Sequence, residues 1–204
     1  MAKKTKMGNP TIDLVINALM DVCYILVKHY VKQNLPKTDV KVKSGVFMSS
    51  AFRYFMSSNA RIDKLPEECD CITVDVLNIS GINTQNLKNF NWRRANHICQ
   101  EHMTPVSYLT DLCFECIYNN INQPISVIES RLRNMLDKMF KVCWVTKSEM
   151  TKLDNTKCQR RNLKDFMPNP NDPYSRYKFA GISFHKVDLN KTWSLPNPTQ
   201  QIFI

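Results

Sequence analysis

Cysteine and histidine are the residue types in this sequence whose spacing could suggest a zinc site, because thiolates and imidazoles are the usual ligands of zinc. The chain has eight cysteines and four histidines, and the candidates by spacing are Cys69, Cys71, His97, His102, Cys113 and Cys116. A structural zinc site usually draws on two spaced ligand pairs, and only Cys113 and Cys116 form a CxxC pair. Both also continue an apolar stripe at helical spacing with Val106, Leu109 and Ile117, which is typical of a core. The sequence therefore predicts no metal site and no cofactor.

Catalytic signatures are absent from the sequence as well. The four glycines stand far apart, so no glycine-rich loop is available to cradle a phosphate. No nucleophile elbow surrounds a cysteine or a histidine. The acidic pair Glu67-Glu68 follows Pro66, which is typical of a solvated turn. The sequence predicts a protein that is not an enzyme, with a small cysteine-dependent enzyme as one alternative.

Basic and aromatic residues form the most structured chemical signal. Lys and Arg number 28 against 18 Asp and Glu, giving a net charge of +10 and a pI near 9.2, a balance that favours polyanionic partners. Three basic clusters stand out, at residues 91–94, 157–164 and 174–179. The first and third mix cations with aromatic rings, as suits single strands whose phosphates pair with cations and whose bases stack on rings. The predicted RNA-binding residues are Trp92, Arg93, Arg94, Arg160, Arg161, Arg176 and Lys178.

The two ends of the chain are predicted to act in assembly. The start carries Lys3, Lys4 and Lys6, and the end is the apolar run Ile202, Phe203 and Ile204 behind two prolines. An apolar terminus of this kind normally needs a partner surface. The sequence predicts a homo-oligomer joined through these arms. It shows no secretory signal and no apolar run of about 18 residues, so no membrane span is expected.

Apolar periodicity predicts a mainly α-helical chain. Asn9 and Pro10 are expected to open a helix over Ile12–Val31, and Val46–Met56 reads as a second helix, whereas Lys37–Lys43 alternates Val with Lys as an exposed strand or linker does. Cys71–Leu77 is strand-like. A further helix is expected from Thr84 through Trp92 to Met103. Another is expected to begin at a Thr104 cap with Pro105 and to end at Asn119. A third is expected after a capping box formed by Ser126 and Glu129. The last has a stripe of Ile128, Leu132, Met135, Leu136, Met139 and Cys143.

Loops and arms complete the predicted organisation. Residues 155–161 and 168–173 have the Asn, Pro, Lys and Arg composition of loops. With 204 residues, the chain suits one domain with arms. The predicted organisation is a basic N-terminal arm at 1–8, a single helical-core domain at 9–187, and an extended C-terminal arm at 188–204.

Two segments resemble the coat proteins of flexible filamentous plant viruses, the potexvirus and potyvirus group. The first is Trp92-Arg93-Arg94 with the following Ile98–Tyr108, and the second is Lys178-Phe179-Ala180-Gly181-Ile182-Ser183-Phe184. Ser183 stands where that family has an Asp before the final Phe. The resemblance implies an α-helical core with extended arms that hook neighbouring subunits around one RNA strand.

We therefore expect a viral coat or nucleocapsid protein that binds single-stranded RNA and polymerises into a helical assembly. Its expected places are the virion and the host cytoplasm. One alternative is a viral matrix or accessory protein whose basic face meets a membrane or a nucleoprotein. The cysteine-dependent enzyme is the other.

Overall fold

The computed structural model describes residues 10–59, 70–80, 97–155 and 169–186. The chain divides into two compact units, each built from two stretches. The first unit comprises Met1–Asn59 and Val106–Phe140, and the second comprises Ala60–Pro105 and Lys141–Ile204. The predicted arms lie outside the described residues, so the sequence-based division at residues 9–187 stays a prediction.

Helices make up about two thirds of the described residues, which confirms the mainly α prediction, and a four-stranded sheet accompanies them. The helices are α1 (Pro10–Ala18), α2 (Ile25–Lys32), α3 (Lys37–Asn59), α4 (Val74–Ser80), α5 (Val106–Asn119), α6 (Ile125–Met139), α7 (Lys147–Asn155) and α8 (Ser175–Phe179). A π-helical segment, Leu19–Tyr24, joins α1 to α2. The strands are β1 (Cys71–Thr73), β2 (Ile98–His102), β3 (Val142–Thr146) and β4 (Phe184–Lys186).

The first unit is an antiparallel bundle of four long helical runs: α1–α2, α3, α5 and α6. Lys37 pairs with Glu115 at 2.6 Å and Lys41 with Asp111 at 2.9 Å, so α3 runs antiparallel to α5. The ion pair between Arg133 and Asp13 joins α6 to α1. One apolar stripe from each run fills the bundle core, with these fully buried members: Leu19, Val27, Met48, Phe52, Leu109, Phe114, Ile128 and Leu132.

The run through α1 and α2 also bears on the expectation of no membrane span. By length and composition alone, Ile12–Lys32 is long and apolar enough to cross a membrane. Core helices of bundles pass the same test, and here Ile12, Leu19 and Val27 lie in the bundle core.

The second unit contains the sheet, in the strand order β2-β3-β1-β4. β1 is parallel to β3, and the other two strand pairs are antiparallel. The register places Glu101, Cys143, Cys71 and Lys186 in one row across the four strands. Cys71 and Cys143 are fully buried within a cluster that includes Tyr177 of α8.

Gly181 ends α8 with a left-handed residue, at φ 65°. Its N–H donates to the Lys178 carbonyl at 3.1 Å, and the Ile182 N–H donates to the Tyr177 carbonyl at 2.9 Å. This pair of bonds is a Schellman motif, which satisfies carbonyls at the helix end and favours glycine at the left-handed position. The motif packs Ile182 beside Tyr177 in the buried cluster.

Alanine substitutions at Gly181 and Gly45 are expected to change the free energy of unfolding in opposite directions. Gly181→Ala is expected to lower the free energy of unfolding by about 1 kcal/mol, since a Cβ strains a left-handed residue. Gly45→Ala is the matched control: it lies inside α3, a Cβ there meets nothing within 4 Å, and alanine should add about 0.5–1 kcal/mol. Urea denaturation followed by circular dichroism measures both. Equal effects at the two glycines would contradict this account.

Several predicted helices are confirmed by the structure. A helical run begins at Pro10 and extends beyond Val31, Val46–Met56 lies within α3, and α5 ends at Asn119. In the predicted apolar stripe of α6, Ile128, Leu132, Leu136 and Met139 are buried and Met135 is partly buried. It ends there, however, because Cys143 belongs to β3.

Other local predictions are wrong. Lys37–Lys43 is helical and forms the start of α3. Its two valines alternate with lysines as in a strand, but on the helix Val40 is buried in the bundle together with Ser44, whereas Val42 is exposed. Ile98–His102 is a strand paired along its length with β3. Neither predicted cap forms: α6 has no side-chain cap, and the Thr104 hydroxyl is buried without a hydrogen-bond partner. Both helix starts rely on tertiary packing, which overrides local propensity.

Candidate functional site

Only two of the predicted RNA-binding residues lie among the described residues, Arg176 and Lys178 of α8. The others are outside the described residues: Trp92, Arg93, Arg94, Arg160 and Arg161. The predicted assembly residues are outside them as well: Lys3, Lys4, Lys6, Ile202, Phe203 and Ile204.

Arg176 has the environment of a structural residue. It is only 5% exposed, and its Nη1 donates to Glu101 Oε1 at 2.6 Å and to the His102 carbonyl at 3.0 Å. These bonds tie α8 to β2. A guanidinium used in this way has little surface left for a phosphate, so we omit Arg176 from the RNA contacts proposed below.

Lys178 belongs to an exposed basic and aromatic surface at the end of α8. It is exposed and pairs with Asp172 at 2.9 Å, and its neighbour Phe179 is 52% exposed. The Tyr174 ring stacks on Phe184, and Lys186 Nζ lies 5.0 Å from the Tyr174 ring centroid. We call Tyr174, Lys178, Phe179 and Lys186 the α8–β4 surface.

Short-range bonds hold the α8–β4 surface in place. The Tyr174 N–H donates to Asp172 Oδ1 at 3.0 Å, which forms a turn immediately before α8. The Schellman motif at Gly181 then turns the chain toward β4. Cations beside partly exposed rings can attract phosphates and stack on bases.

A buried carboxylate, Glu149, forms a second polar cluster. Its Oε2 accepts from the Thr73 hydroxyl at 2.6 Å and from the Thr146 N–H at 2.9 Å. In return the Glu149 N–H donates to the Thr146 hydroxyl at 3.1 Å, so the two residues form a capping box at the start of α7. Burial raises the pKa of the Glu149 carboxyl. The Thr-x-x-Glu spacing is visible in the sequence, but sequence reasoning missed it.

The described cysteines are mostly buried thiols. Six are described, and four of these are buried. Burial raises the pKa of Cys71 to about 12 and that of Cys99 to about 11, and the pKa of Cys113 lies well above its ordinary value. Because the thiolate is the nucleophile, these thiols are poorly suited to catalysis. Within the described ranges, no group of three His, Cys, Asp or Glu side chains is arranged to hold a metal ion.

Positive charge is distributed unevenly along the chain. Residues 1–9, 81–96 and 156–168 carry +3 each. These three segments contain the predicted Lys3, Arg93, Arg94, Arg160 and Arg161 together with other cations.

Comparison of the chain with family models, with curated proteins and with solved structures finds no match.

Proposed function

We propose that this protein binds single-stranded RNA and coats it as a viral coat or nucleocapsid subunit. The observation that carries the proposal is the concentration of charge along the sequence: residues 1–9, 81–96 and 156–168 carry +3 each, which is nearly the whole net charge of +10. Charge required only for solubility would have no reason to be concentrated in this way. Phosphate binding uses clustered cations.

The proposed contacts divide into phosphate and base contacts. Arg93, Arg94, Arg160 and Arg161 pair with phosphates, for which the planar guanidinium is well suited. Trp92 stacks on a base beside them. The α8–β4 surface adds Lys178 and Lys186 with the exposed ring of Phe179 and the partly buried ring of Tyr174.

Polymerisation along RNA is the second part of the proposal. The basic start with Lys3, Lys4 and Lys6 and the apolar end with Ile202, Phe203 and Ile204 are proposed to join neighbouring subunits. Negative-stain microscopy of the protein with and without RNA tests this part, since filaments should form with RNA.

Binding to a short single-stranded RNA is expected to weaken steeply with salt, because each neutralised phosphate releases counterions and adds about 0.7 to the log–log slope. Replacing Lys88, Arg93 and Arg94 with glutamine should therefore lower that slope by about 2. Fluorescence anisotropy at several salt concentrations measures it.

A control variant with the same net charge separates local contacts from overall charge. Replacing Lys28, Lys32 and Lys152, which are exposed in α2 and α7, with glutamine should leave the slope nearly unchanged. Equal losses in both triple variants would contradict the segment-based account. Pelleting with anionic liposomes but not with RNA would instead favour a matrix protein.

A further inference from the structure

Asp172 is the acidic residue of the turn that leads into α8, and it contacts the α8–β4 surface at two points. Its Oδ1 accepts from the Tyr174 N–H at 3.0 Å, and its Oδ2 accepts from Lys178 Nζ at 2.9 Å. The Asp172 side chain is 25% exposed and that of Lys178 is 43% exposed. One carboxylate therefore shapes the turn with one oxygen and neutralises an exposed cation with the other.

The backbone of the turn holds this carboxylate in place. The Asp172 N–H donates to the Asn169 carbonyl at 3.0 Å, and the Asp172 carbonyl accepts from the Ser175 N–H at 3.2 Å. Pro173 follows directly, and a proline restricts the backbone of the residue before it as well as its own. Because one partner is already positioned, the ion pair with Lys178 costs less conformational entropy than a pair of two flexible side chains.

The two cations of the α8–β4 surface differ in their partners. Lys186 Nζ lies over the Tyr174 ring, and among the described residues no carboxylate forms an ion pair with it. Lys178 is already paired with a carboxylate before any ligand arrives. A phosphate can therefore pair with Lys186 directly, whereas it must displace Asp172 to pair with Lys178.

We propose that Asp172 regulates RNA binding as a built-in competitor for Lys178. In the free protein its carboxylate occupies the position of a phosphate, and a bound strand displaces it. The ion pair between Lys178 and Asp172 breaks, and Lys178 pairs with a phosphate of the strand. Asp172 keeps its bond to the Tyr174 N–H, so the turn is retained. This inference rests on the proposed RNA-binding function and adds regulation to the same surface.

The competition favours a strand over single dissolved anions. Asp172 belongs to the same chain as Lys178 and meets it at a high effective concentration, so a free phosphate ion displaces it poorly. A strand that is already held at Lys186 or at other cations delivers its next phosphate in the same intramolecular way. Asp172 therefore lowers the affinity of the surface for isolated phosphates more than its affinity for RNA.

Asp172→Asn removes the charge and keeps an oxygen that can accept from the Tyr174 N–H. The affinity of the full-length chain for a short single-stranded RNA, measured by fluorescence anisotropy, should rise about two- to fivefold, the range of an exposed ion pair. The log–log salt slope should steepen by about 0.7. Asp137→Asn, at an exposed position of α6, makes the same charge change elsewhere and should leave both quantities nearly unchanged. Circular dichroism establishes folding, and Asp172→Ser, whose hydroxyl also supports such turns, provides a second variant.

A double-mutant cycle with Lys178→Gln separates competition from general charge repulsion. In the Lys178→Gln background no ion pair has to break, so Asp172→Asn should raise the affinity for RNA much less than it does in the parent. An equal gain in both backgrounds would overturn the competitor role. So would an Asp172→Asn variant that binds RNA no more tightly than the parent, or an equal gain in Asp137→Asn. These results leave the RNA-binding function intact, whereas a parent that does not bind the RNA overturns both proposals.

Discussion

Arg176→Ala is expected to lower the free energy of unfolding by about 3–5 kcal/mol, because it breaks an ion pair that is largely shielded from water. The Arg176 side chain is only 6% exposed and that of Glu101 only 23%. Removing the guanidinium leaves the Glu101 carboxylate in a poorly hydrated site without a cation. It also leaves the His102 carbonyl without this donor. Urea denaturation followed by tryptophan fluorescence measures the loss.

A double variant separates the ion pair from simple packing. Arg176→Met with Glu101→Gln keeps much of the volume and removes both charges, so it should be clearly more stable than Arg176→Ala, because no unpaired charge remains buried. If Arg176→Ala lowered the free energy of unfolding by less than about 1 kcal/mol, the structural role of Arg176 would be contradicted. If Arg176→Ala instead lowered the affinity for RNA and left the stability unchanged, Arg176 would belong among the RNA-binding residues, as its position in the sequence suggests.

Glu149→Ala is expected to lower the free energy of unfolding by about 3 kcal/mol, because three donors lose their acceptor. These donors are the hydroxyls of Thr73 and Thr146 and the Thr146 N–H. The carboxylate joins β1 to the start of α7, so its loss releases two elements of the second unit. Thermal and urea denaturation at neutral pH measure it.

The conservative variant Glu149→Gln adds a pH test. Burial raises the pKa of Glu149 above its ordinary value of 4.5, so the fold favours the neutral acid. In the parent, the neutral Glu149 side chain therefore contributes fully to the free energy of unfolding below pH 4.5. This contribution is lost as the pH rises through the pKa that Glu149 has in the folded state. The stability of Glu149→Gln relative to the parent should rise over that window and level off above it. If the stability difference between Glu149→Gln and the parent stayed flat or fell with pH, the hydrogen bonds that lower the pKa of Glu149 would outweigh the burial that raises it.

The bundle is the part of the fold that sequence reasoning predicted best. Helical stripes are encoded by residues three and four positions apart, so α5 and α6 were recognisable without knowledge of their partners. The start of α3 was not, because Val40 and Val42 alternate with lysines as residues of a strand do, although Val40 is buried and Val42 is exposed on the helix. Which valines were buried depended on the position of α3 between its neighbours.

The candidate site was predicted only in part. Of the two described residues of the predicted RNA-binding set, Lys178 is exposed, whereas Arg176, two positions earlier, is buried against Glu101. The RNA-binding role of Lys178 stays a prediction. Charge type is read directly from the sequence. The burial of that charge depends on β2, which is distant along the chain, and β2 itself was predicted as a helix.

The mainly helical character, the helical run that begins at Pro10 and the concentration of positive charge in three short segments could be predicted from the amino-acid sequence, because each depends on composition or on near neighbours. Three features required the folded structure: Ile98–His102 is a strand, Cys143 belongs to β3, and Glu149 is buried beside Thr73. Strand pairing and burial depend on residues tens of positions away, whose approach no local spacing encodes.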